Sequence, residues 1–186
     1  YEVWVRGYGL VDSPKLRAKP GQIVDHSAVP APTAAAAAHY YPAVYWYSML
    51  KMPPAKDFGG TTNIPKEITL DVWRRRMNNT DCIGCHALGQ ESTRTIPAAL
   101  GEFNSGEQAW GRRVASGHTG AWMIDRLGKQ LGAVPFKYYG DWTDRIAAGE
   151  LPKAKPPRPQ GVERNVVITS WEWGTEKTFL HDLISS

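Results

Sequence analysis

The chain has 186 residues, 42% of them hydrophobic, with 14 prolines, 18 glycines and a formal charge of +4. That size suits one ordinary domain, or a small domain with flanking pieces, and the proline and glycine content implies many turns and little long regular structure. The charges are mixed and form no basic stripe, so no nucleic-acid partner is expected, and no apolar run is long enough to span a bilayer, so no transmembrane segment is expected either.

Residues 1–32 read as a β segment. Tyr1, Val3 and Val5 alternate with Glu2, Trp4 and Arg6, the period of a half-buried strand. Turn chemistry at Asp12-Ser13-Pro14 and Lys19-Pro20-Gly21 separates further short strands expected at Leu16 and Ile23-Val24. A segment of this size cannot bury a core alone, so it packs on the rest or is the tail of a larger unit. Tyr1 opens inside a strand pattern and the last residues carry no stop signal, so both ends read as cut.

Residues 33–64 read as a helical and loop connector. Thr33 is placed to cap the alanine run 34–38, Pro42 should end or kink that helix, and 43–49 should resume it. The aromatic cluster Tyr40, Tyr41, Tyr45, Trp46 and Tyr47 is expected to be a packing face, and 53–60 a loop. A helix is then expected over 65–79. Ile68, Val72 and Met77 share one face, Trp73 sits beside it, and Arg74-Arg75-Arg76 look to solvent at the end where cations suit the helix dipole.

That helix runs into Cys82-Ile83-Gly84-Cys85-His86, which has the form C-x-x-C-H, the attachment signature of c-type haem. Two thiols at i and i+3 lie on one side of a helical turn, where they can add to the two vinyl groups of one porphyrin. The histidine that follows becomes the proximal iron ligand. Competing readings are weaker. A zinc site needs four ligands, the chain has two cysteines, and no histidines fall in an H-x3–5-H pair. A thioredoxin-type motif wants a strand before it and a helix after, whereas here the preceding residues read as helix and the following ones as loop. A disulfide across so short a loop would gain little.

Beyond the string, 89–100 reads as a polar loop ending at Ile96-Pro97. Asn104 or Ser105 should cap a helix from Glu107 to about Ser116, with Ala109, Trp110, Arg113 and Val114 at near-helical spacing. Gly117-His118-Thr119-Gly120 breaks it, a helix over 122–131 should end near Gly132, and a last one over 140–148 should close at Gly149. Residues 152–161 form a proline-rich linker. Residues 162–186 hold a strand pattern over 165–173 and the start of a further domain.

The sixth iron position separates an electron carrier from an open haem site. Met123, just past the glycine-flanked break, is the first candidate, because its neutral thioether favours reduced iron. His118 on the same break is the alternative. Met49, Met52 and Met77 are expected to pack in the core.

The order helix, C-x-x-C-H, Ile-Pro, helix, glycine-rich break with Met, helix resembles the class I cytochrome c domain over residues 65–151. The resemblance implies a mainly α fold around one covalent haem c. In that family the proline after the string helps hold the proximal histidine through a nearby carbonyl, a place matched by Pro97. Residues 1–10 and Ser170-Trp171-Glu172-Trp173 are more weakly similar to a secreted protein type. In it a carboxypeptidase-regulatory-like β domain precedes a monohaem cytochrome and a β-propeller follows.

The expected function is therefore one-electron transfer, an electron carrier more than an enzyme. Cys82 and Cys85 would anchor the haem, His86 and Met123 would bind iron, and Leu100, Phe103, Trp110 and Trp122 would wall the pocket. Partners would be redox proteins or a fused or associated catalytic domain, with the chain a subunit or fragment of a larger assembly. Attachment of c-type haem takes place outside the cytoplasmic membrane, so a periplasmic or extracellular bacterial location is expected. The rivals are a peroxidase-like enzyme or sensor with an open axial site, and a structural subunit of a larger redox complex.

Overall fold

A computed structural model describes residues 1–60, 62–80, 87–117, 119–132, 135–157 and 160–161. Within them the protein is mainly α-helical, with two small antiparallel sheets near its start. The first pairs β1 (Glu2–Val3) with β3 (Leu16–Arg17); the second pairs β2 (Leu10–Val11) with β4 (Val29–Pro30). The strand expected over the first ten residues is cut short because Ser13 Oγ accepts from Val5 N at 2.9 Å and a turn follows at Gly7. Ile23 is 90% exposed and belongs to no strand.

α1 (Ala34–His39) is capped by Thr33, whose hydroxyl accepts from Ala36 N, and Pro42 separates it from α2 (Ala43–Tyr47). Trp46 is buried between them and donates Nε1–H to Ala38 O at 3.0 Å. α3 (Leu70–Arg75) starts at a Thr69 cap, later than the apolar pattern suggested, and passes into a wide π-type turn, Arg76–Thr80. The stretch expected to be loop after the string holds a short helix, α4 (Glu91–Arg94), and a 3-10 turn, Ala98–Leu100.

α5 (Gly106–Ala115) begins at the Ser105 cap. α6 (Gly120–Leu131) ends at Gly132, whose φ of 67° is the left-handed backbone a glycine adopts freely. α7 (Pro135–Ala147) starts five residues before its expected position. α5 and α7 form the main helix pair. They approach closely because Gly140 faces the first turn of α5: a Cβ there would lie 2.5 Å from Glu107 N.

The core gathers Ile64, Ile68, Trp73, Met77, Leu88, Trp110, Val114, Leu131, Tyr139 and Trp142. Tyr47, Met49, Leu50, Met52 and Phe58 pack onto it from the preceding stretch. Trp142, fully buried, donates to Trp46 O at 2.9 Å, and Arg145 donates to Met49 O at 2.7 Å, so α7 grips the connector directly.

Candidate functional site

Cys82, Cys85 and His86 lie outside the described residues, as does His118. What the structure describes is the frame on either side of the string. Upstream, Met77 is 3% exposed; its carbonyl accepts from Tyr47 Oη at 2.8 Å and its sulfur from Tyr139 Oη at 3.8 Å. Met77 is thereby a core residue, held by two tyrosines from different helices. Downstream, Leu88 is buried and Gly89 lies against α2 with a φ of 103°. A Cβ on Gly89 would sit 2.0 Å from Ala43 O, so only glycine fits there.

Two buried arginines fix the chain beyond Gly89. Arg94 donates to Gly89 O at 2.8 Å and His39 O at 3.4 Å, and its guanidinium stands 4.2 Å over the Trp46 ring. Arg113, from α5, donates to Ser92 O and Thr95 O. Burial pushes its guanidinium down to about 10, still charged at neutral pH. This pair explains why α4 exists at all. Four residues have little intrinsic helicity, and the bonds of Arg113 from α5 and of the segment's own Arg94 to Gly89 O supply what propensity does not.

Pro97 is buried, and its carbonyl accepts from Leu100 N at 3.0 Å. Of the expected pocket walls, Trp110 is in the core. It stacks on Tyr139 at 4.7 Å and donates Nε1–H to Thr143 Oγ1 at 3.2 Å. Leu100 and Phe103 are half-buried. Trp122 stands at the surface, 55% exposed, with the Arg126 guanidinium 4.8 Å over its ring. Met123 sits in the first turn of α6, half-buried, and packs onto the core. The other three methionines pack on that core too, so position alone distinguishes Met123.

Arg76 departs from the sequence reading. Arg74 and Arg75 are exposed as expected, but Arg76 is half-buried, and its Nη1 is a buried donor with no hydrogen-bond partner among the described residues. A buried cationic donor without an acceptor is costly. Arg76 lies in the π-type turn just before the string, where the anionic propionates of a haem would supply acceptors. That donor suits an anionic group such as a propionate, whereas Met123, packed on the core like the other three methionines, is not marked as a ligand by its geometry. Among the described residues no three His, Cys, Asp or Glu side chains cluster as a metal site, a pattern that a haem iron does not require.

Comparison with protein-family models, with curated proteins and with solved structures gave no match.

Proposed function

We propose that the chain is a monohaem c-type cytochrome with a class I-like helical domain, carrying single electrons between extracytoplasmic redox partners. The observation that carries this is the string Cys82-Ile83-Gly84-Cys85-His86, which follows a helical segment in sequence. Haem, when bound, supplies a one-electron iron couple. Cys82 and Cys85 would hold it by thioether bonds, and His86 and Met123 would bind its iron. As neutral donors, His86 and Met123 leave the reduced state favoured. Pro97 and the half-buried Leu100 and Phe103 exclude water from the proximal side, and buried Trp110 stiffens the helix pair behind them.

The partner is a redox protein or a catalytic domain of the same assembly. Among the described residues no helix is long and apolar enough to cross a membrane. The test is a pyridine haemochrome spectrum of protein expressed with c-type maturation and export. The spectrum of a haem with both vinyl groups saturated supports the assignment, and colourless protein overturns it. A low-spin iron with the weak red sulfur-to-iron band supports the carrier over an open-site enzyme; high-spin iron that binds carbon monoxide readily does the opposite.

A further inference from the structure

We propose that α2 is the clasp of the haem-bearing stretch and that Tyr47 is its positioning residue. The inference rests on the haem reading above and adds to it a residue far upstream of the attachment string. Cys82, Cys85 and His86 lie in sequence between Met77 and Gly89, and both of those residues are fixed on the same turn of α2. Tyr47 Oη donates to Met77 O at 2.8 Å. Gly89 lies so close to α2 that a Cβ on it would be 2.0 Å from Ala43 O and 2.9 Å from Tyr47 N. Met77 and Gly89, one on each side of the string in sequence, therefore both rest on one short helix.

The clasp is itself held. The Tyr47 ring meets Trp142 edge-on, with centroids 6.3 Å apart and planes at 82°. Trp142 is fully buried and bonds to Trp46 O on the same helix. Arg94 locks the far side, stacking on Trp46 while donating to Gly89 O. Fixed points on either side of a segment lower the entropy that its ligands must give up on binding. His86 precedes Gly89 by three residues in sequence, and the seat of Gly89 on α2 would bear on that ligand. Tyr47 touches no iron; it acts through Met77 and Gly89.

The test compares the wild-type holoprotein with Tyr47→Phe, which keeps the ring against Trp142 and removes only the hydroxyl. Losing one hydrogen bond of ordinary strength should speed amide exchange across 77–89 by roughly five-fold while leaving α5 and α7 unchanged. The low-spin ferric resonance, single in the wild type, should split into two sets as the proximal ligand gains a second orientation. Gly89→Ala should enlarge both effects, because its Cβ meets backbone that cannot swing aside. Unchanged exchange and a single ferric resonance in Tyr47→Phe would overturn the proposal while the haem reading stands. Exchange that rises equally in α5 and α7 would overturn it too, since that marks general loosening. A colourless wild type would instead remove the haem reading, and the clasp's role at iron with it.

Discussion

Arg113 is 5% exposed and ties α5 to the carbonyls of Ser92 and Thr95. Replacing it by Met leaves two carbonyls without donors and should cost about 2–4 kcal/mol, read from the shift in urea midpoint. Lys in its place should recover little, because one ammonium does not reproduce a planar fork aimed at two acceptors. Met123→Ala addresses the iron directly: the red sulfur-to-iron band should vanish and the ferric spectrum turn high-spin. An unchanged low-spin spectrum would pass the ligand role to another residue, His118 first. At this scale the sequence was legible where chemistry is local. The caps Thr33 and Ser105 and the stop at Gly132 announce themselves through their neighbours. Arg94 and Arg113 do not, since their burial depends on carbonyls and stacking rings brought from elsewhere in the chain, and no local pattern encodes them.

The crossing of α5 and α7 depends on Gly140. Alanine there would gain about 1 kcal/mol in helix propensity. It would also press a methyl group into the backbone at Glu107 N, 2.5 Å away, at a typical cost of about 1–3 kcal/mol. Steric cost should win, so Gly140→Ala should lower stability by about 1–2 kcal/mol in thermal or urea unfolding, whereas an exposed helical glycine such as Gly128 should tolerate alanine. Helices 5 and 6 were readable from apolar spacing and caps. The start of α7 was not, because Pro135 reads as a breaker in isolation although proline is well suited to a first helical position. α3 starts late for the opposite reason: Ile68 contributes to the apolar stripe from the turn before the Thr69 cap.

Across the molecule, the core draws on residues from Tyr47 to Ile146, so the stretch read as a connector supplies part of the packing. Asp141 is one of its ties, bonded to Lys51 at 3.0 Å and Arg145 at 2.8 Å. Burial alone would raise its carboxyl, but hydrogen bonds from Arg145 and Lys51 outweigh that and leave it below the ordinary carboxylate range. A carboxyl lowered on folding contributes stability above its unfolded value of 3.8 and loses it as pH falls through the folded one. Asp141→Asn should therefore flatten the acid limb of a stability-versus-pH curve and cost under about 1 kcal/mol at neutral pH, because the pair is partly exposed and screened. The helical class of the fold was legible in apolar periodicity. The joining of 43–64 to the later helices was not, because indole-to-carbonyl and arginine-to-carbonyl bonds across 96 residues leave no spacing signal.

The central claim is a covalent iron porphyrin at Cys82, Cys85 and His86. Intact-mass measurement of the exported protein under denaturing conditions tests it most directly. A mass above that of the polypeptide by one haem, which survives acid extraction and maps to the peptide containing both cysteines, is the predicted result. A mass equal to the bare polypeptide, from cells that mature other c-type cytochromes normally, would contradict it.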